Sequence, residues 1–226
     1  SLFKVWAQRA VKTSDLEAHL YDHDTLVYAS DSSIYKVENL GENVNSDHVE
    51  SGPRISPDGK TLYFFRIDTT INTKRAQEYT SQIYSSEYNE KDSTWSKAED
   101  IGKPLNSKGA SSVQSVIKDG EVLILTNHYL KNGLTKNGIS MSSKKGKRWT
   151  FPEDIKIPHF HNDARYSVHV QNDGKTMILA VHNDHDKLAL GQQDLYVCFL
   201  KPDGKHWTDP INLGPKINTP KSEGTA

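Results

Sequence analysis

The stretch RISPDGKTLYFFR, residues 54–66, decides the fold. In Ser56-Pro57-Asp58-Gly59-Lys60, proline pre-sets φ for the second turn position, aspartate bonds back to nearby amides and glycine accepts a positive φ. The phrase reads as a hairpin turn. Leu62-Tyr63-Phe64-Phe65 then follows with no polar residue between. So short an apolar run, rich in strand formers, reads as a strand, and its lack of alternation means that both faces are covered.

The phrase recurs along the chain. VIKDGEVLIL occupies 116–125 and VQNDGKTMIL occupies 170–179, while YDHDTLVYAS at 21–30 keeps the shape without the glycine. Each copy is trailed by a second phrase: STWSKAEDIGKPLN from Ser93, KRWTFPEDIKIP from Lys147 and KHWTDPINLGPKIN from Lys205. Gly59, Gly120 and Gly174 are spaced by 61 and 54 residues, and Trp95, Trp149 and Trp207 by 54 and 58. Two independent landmarks thus report a period of about 50–60 residues, the length of a four-stranded propeller blade.

The expected fold is therefore all-β, a β-propeller of four-stranded antiparallel blades. Blades stack face against face around a channel, which is why the apolar runs need not alternate. Each full blade has an inner strand ending near Ile55, Val116 or Val170, then a turn, the apolar run, a third strand (SQIYSSEYN, GISMSSK or DLYVCFL) and a Trp-bearing outer strand. The units run 1–39 (partial), 40–100, 101–154, 155–212 and 213–226, the last a new unit or a closing strand. The first is short, since Thr25 aligns with Thr61 only 36 residues later. The tryptophans read as structural anchors on the outer edge. Gly41, Gly102 and Gly214 mark the crossovers, where the chain bends between blades.

Composition agrees: 226 residues, 35% hydrophobic and 25% charged, with no long helix-period stretch. A net charge of −1 gives no electrostatic reason to expect nucleic acid or an anionic membrane. Lys144 to Arg148 form a tight turn of solvated cations. No run approaches the length of a membrane span. Cys198, the single cysteine, lies in a strand phrase and reads as a small buried hydrophobe.

SPDGKTLYF, a third strand of the DLYV type, and a tail with Trp, Pro, Leu-Gly, Ile-Asn-Thr and Glu together resemble the PD40 (WD40-like) repeats, cousins of the TolB propeller. The likeness covers about residues 15–226. Such repeats occur in periplasmic and outer-membrane-associated proteins of Bacteroidota, often ahead of an OmpA-like peptidoglycan-binding domain, and some belong to the type IX secretion and gliding apparatus. The resemblance implies an exported chain whose signal peptide is not present here, periplasmic or outer-membrane-associated. It implies a protein-interaction or scaffold module that binds a protein partner or a neighbouring domain, with peptidoglycan reached through a further domain. The chain is accordingly read as part of a longer protein. Two departures stand out: the middle turn, Ile117-Lys118-Asp119-Gly120, lacks serine and proline, and one crossover reads Ile155-Lys156 where the others have Leu-Gly or Ile-Gly.

No serine nucleophile elbow, HExxH, Walker A or CxxC motif is present. KPDGKHW at 201–207 approaches a sialidase Asp-box but with the wrong spacing. The reading is therefore a non-enzymatic module with no cofactor, the alternative being an accessory propeller of a glycan- or peptide-hydrolysing enzyme. No metal site is expected. His159 and His161, two apart on one strand face, and Asp184 and Asp186 are the candidate ligands, in what reads as a polar loop. Glu50 and Glu223 share a repeat position with Ser111 and Arg165 at the entry to the inner strand. That position is expected at the channel mouth, which makes Glu50, Arg165 and Glu223 candidates for partner binding. Arg75 and Tyr79, in the long insertion at 66–80, are further candidate anchors.

Overall fold

The computed structural model describes residues 38–67, 81–158, 166–183 and 185–224. The three turn phrases each fold into a hairpin, and each hairpin grows outward into one antiparallel blade. Blade one is β1 (Val49–Ile55), β2 (Thr61–Ile67), β3 (Ser81–Asn89), β4 (Thr94–Trp95) and β5 (Glu99–Asp100). Blade two is β6 (Val113–Ile117), β7 (Val122–Tyr129), β8 (Thr135–Lys145), β9 (Arg148–Trp149) and β10 (Glu153–Asp154). Blade three is β11 (Tyr166–Val170), β12 (Thr176–Val181), β13 (Asp194–Phe199) and β14 (Ile211–Asn212). The fold is an all-β propeller. Among the described residues the only helical turn is Lys118–Gly120, and no helix is long and apolar enough to cross a membrane.

Gly59, Gly120 and Gly174 have φ of 73°, 92° and 71°, as the turn phrase requires. In the first turn Ser56 Oγ donates to Asp58 Oδ1 at 2.5 Å and accepts the Thr61 N–H at 2.8 Å. The middle turn, without serine or proline, bonds to the next blade instead. The Lys118 N–H donates to the Asn172 carbonyl at 2.8 Å, while Asp119 and Asn172 exchange bonds of 2.9 and 2.8 Å. Valine at Gly59, Gly120 or Gly174 should lower stability by roughly 1–3 kcal/mol through left-handed strain. The loss should be largest at Gly174, where a Cβ would lie 3.3 Å from Lys118 Cε. Equal melting temperatures for all three variants and the parent would refute this.

The runs are covered on both faces because successive residues serve opposite neighbours. Leu123 and Leu125 pack with Tyr63 and Ile83 of blade one, whereas Val122 and Ile124 pack with Val168, Val170, Met177 and Leu179 of blade three. Each such buried side chain contributes about 1.5–3 kcal/mol relative to exposure. Trp149 packs against the first of these clusters and meets Tyr63 edge-on at 6.4 Å, while Trp207 lies buried in the second.

Two repeated devices join the strands into blades. At the crossovers, Asn39, Asp100 and Asn212 each accept the N–H of the glycine two residues on, at 2.8, 2.6 and 2.7 Å. The same oxygens accept the side-chain amides of Asn45, Asn106 and Asn218 at 2.8, 2.6 and 2.8 Å. Asn106 and Asn218 then bond both the N–H and the carbonyl of Ile83 in β3 and of Leu195 in β13. In blades one and two the outer strand is not one strand, as expected, but two short pieces. After each tryptophan, the hydroxyl of Ser96, Thr150 or Thr208 takes over as acceptor, receiving the N–H of Glu87, Ser143 or Phe199 at 3.0 Å. The backbone N–H of the same residue donates back to that strand. Cys198 is buried in β13, and burial, with the charge of Asp209, pushes its thiol up to about 12.

Candidate functional site

The residues singled out from the sequence fall into two groups. His159, His161, Arg165, Asp184, Arg75 and Tyr79 lie outside the described residues. Glu50, Glu223 and Asp186 are described, and each is engaged within the chain. Glu50 is buried; its Oε1 accepts the Ser46 hydroxyl, the Ser46 N–H and, at 2.9 Å, the Arg66 Nε. Glu223 repeats the arrangement, with Oε1 accepting the Thr219 hydroxyl at 2.6 Å and the Thr219 N–H at 3.0 Å. Ser111, at the same repeat position, is fully buried and donates to the Leu105 carbonyl.

Asp186 ties a loop of blade three together. Its Oδ2 accepts the Tyr196 hydroxyl and the Asn212 amide, each at 2.9 Å, and its Oδ1 accepts the Leu188 N–H. Burial acts to raise its pKa, but these donors outweigh it and hold the carboxyl below the usual range. Among the described residues no group of three His, Cys, Asp or Glu is placed to hold a metal ion.

A cluster that the sequence did not suggest forms where β7 ends against blade three. Asn127, held at φ 74°, faces a bulge in β8, where Asn137 and Gly138 together stand opposite it. Its N–H donates to the Tyr166 hydroxyl at 3.3 Å, its carbonyl accepts the Ser140 hydroxyl at 2.8 Å, and its amide donates to the Ala110 carbonyl at 3.0 Å. Asparagine tolerates the left-handed region better than most residues, and the local twist at a bulge re-aims the side chain beside it. Here that side chain is His128. Its ring lies over Gly138 in β8, where any Cβ would fall inside the imidazole, and its Nδ1 meets Asp154 Oδ1 at 2.7 Å. The Tyr166 hydroxyl donates to the Gly138 carbonyl on the same strand, and burial raises its pKa.

Repeat position explains why Asp154 is available. In the other blades the equivalent Asp100 and Asn212 cap the crossover glycine. In blade two that glycine is Lys156, so the carboxylate turns to His128 instead. The corresponding position in blade one is Ile67, on the matching end of β2. The only sequence signal was the loss of the crossover glycine. The carboxylate stands at ion-pair distance from Nδ1 rather than in hydrogen-bond geometry, and a histidine beside a carboxylate can bind a ligand or move a proton. Both side chains reach the surface, with exposures of 24% and 46%.

No protein-family model matches the chain, and no curated protein matches it. Among the solved structures similar to it are two enzymes by name. One is a puromycin hydrolase, 11% identical, with a TM-score of 0.38 over 79% of this chain and 30% of that one. The other is the periplasmic gluconolactonase PpgL of Pseudomonas aeruginosa, 10% identical, with a TM-score of 0.33 over 73% of this chain and 56% of that one. At these values neither substrate nor activity transfers. The expectation of a non-enzymatic chain is nevertheless corrected, because both of these proteins are enzymes by name. The chain spans less than two thirds of either.

Proposed function

We propose that this chain is a PD40-type propeller serving as the substrate-holding part of a glycan- or peptide-hydrolysing protein of the bacterial cell envelope. The observation that carries the reading is the His128–Asp154 pair, a partly exposed imidazole with a carboxylate at ion-pair distance, in the one blade whose crossover has given up its cap. Repeat positions that serve structure elsewhere serve polar recognition here. The Tyr166 hydroxyl, on the same Gly138 backbone, adds a second polar group at the seam between blades two and three.

The experiment is titration of the full chain with soluble peptidoglycan fragments, chito-oligosaccharides and stem-type peptides, with binding followed by NMR and products by chromatography. One class should bind saturably, and His128→Ala should weaken it by about tenfold, the cost of one good polar contact. Binding of none of the three, or binding untouched by His128→Ala, would overturn the reading. A protein-interaction scaffold is the second reading. It is favoured by Leu188 and Leu190, 66% and 42% exposed on the loop after β12, and it is supported instead if only a protein partner binds there.

A further inference from the structure

The three inner strands place polar side chains at one level beside their hairpin turns. Arg54 on β1 and His169 on β11 occupy the same repeat position, opposite Tyr63 and Ile178 in the neighbouring strands. Ser115 of β6 stands between them in register, and its hydroxyl is used by the fold, accepting the Val170 N–H at 2.9 Å. Gln114, the extra residue of the β6 bulge, lies at the same level.

Unlike Ser115, these three side chains are not consumed by the fold. Arg54 Nε donates to the Gln114 carbonyl at 2.8 Å and Nη1 to the Pro53 carbonyl at 3.0 Å, so the guanidinium is positioned by backbone, and among the described residues it meets no carboxylate. The Gln114 amide and the His169 imidazole make no hydrogen bond among the described residues. Most acidic groups of the surrounding strands and turns are already engaged, Glu121 of the middle turn being the exception. Glu50 is held by Arg66, Asp58 by Ser56 and the Lys60 N–H, Asp119 by Asn172, and Asp173 by the Lys175 N–H. A partly desolvated cation with no countercharge among the described residues is a costly arrangement for a fold to keep.

We propose that Arg54, Gln114 and His169 form an anion site on the propeller axis that takes a carboxylate group. The remaining guanidinium N–H groups suit the planar geometry of a carboxylate, and the Gln114 amide and His169 ring supply neutral donors beside it. Charge selects the class of anion. Burial and the neighbouring Arg54 charge both lower the His169 pKa, so the site carries one full positive charge near neutrality. It matches a monoanion and leaves a phosphate dianion with one charge unmatched.

The test follows the His169 ring signals of the full chain by NMR, assigned with His169→Gln, at constant ionic strength. The probes are sodium acetate, N-acetylalanine, N-acetylalanine amide and sodium phosphate. Acetate and N-acetylalanine should shift the signals saturably, the amide should not, and phosphate should bind more weakly than either carboxylate. Tighter binding of N-acetylalanine would identify a peptide chain end as the ligand, and tighter binding of acetate a small free acid. Arg54→Met should weaken carboxylate binding by about tenfold or more, and Arg54→Lys, which keeps the charge without the fork, by less. Equal shifts with acid and amide would overturn the proposal, as would binding unchanged in a folded Arg54→Met. Should Arg54→Met fail to fold, unchanged binding in both Arg54→Lys and Gln114→Leu would overturn it equally.

Discussion

Replacing Arg66 with methionine should cost about 3–5 kcal/mol of unfolding free energy, read from the shift of a denaturant midpoint at constant slope. Arg66 Nε donates to Glu50 Oε1 at 2.9 Å, and the Glu50 side chain is only 2% exposed, so methionine would leave a buried carboxylate with the Ser46 donors alone. The guanidinium also donates to the Val44 carbonyl at 2.9 Å and lies over the Tyr84 ring at 4.3 Å, contacts that methionine replaces only in part. Adding Glu50→Gln removes the stranded charge and should recover a large part of the loss. A single variant within about 1 kcal/mol of the parent would show that Glu50 is well solvated by other means.

Asn106→Ala should cost about 1–3 kcal/mol, because it orphans the buried Ile83 N–H and takes one of two donors from the Ile83 carbonyl, which keeps the Ile101 N–H at 3.1 Å. The Asn106 side chain accepts the Ile83 N–H at 2.8 Å and donates to the Ile83 carbonyl at 2.7 Å, at a site 5% exposed. Asn106→Asp should be no better, since the new carboxylate would face Asp100 Oδ1 across a contact that is now 2.6 Å. Hydrogen exchange at Ile83 gives a local reading. A loss of protection confined to β3 and the following crossover would accompany the fall in stability, and unchanged protection there would sink the assignment.

The sequence was most legible where the chemistry is local. Gly59, Gly120 and Gly174 announce their own φ, and the unalternating runs announce cover on both faces, so blade order and the three long strands of each blade follow directly. The split outer strands were not legible, because the split depends on a hydroxyl of Ser96, Thr150 or Thr208 standing in for backbone. The equivalence of Glu50 and Glu223 was visible as a spacing. The burial of Glu50 was not, since it requires the register that sets Arg66 opposite. The His128–Asp154 pair was hidden for a similar reason: it spans two strand neighbours and depends on a bulge in β8 opposite Asn127, itself in a rare backbone region. Arg54, Gln114 and His169 could be brought together only once the inner strands were aligned in space.

The divided outer strands carry a consequence for how such chains behave at high concentration. A long straight strand on the rim of a blade would offer a row of open backbone groups to any neighbouring molecule, an invitation to pair edge to edge and aggregate. In this chain β4, β5, β9, β10 and β14 are each two residues long. Pro152 and Pro210, just before β10 and β14, remove donors there as well. The rim of each blade is thus too fragmented to template a foreign strand, a safeguard that a toroid with several parallel rims needs more than a single sheet does.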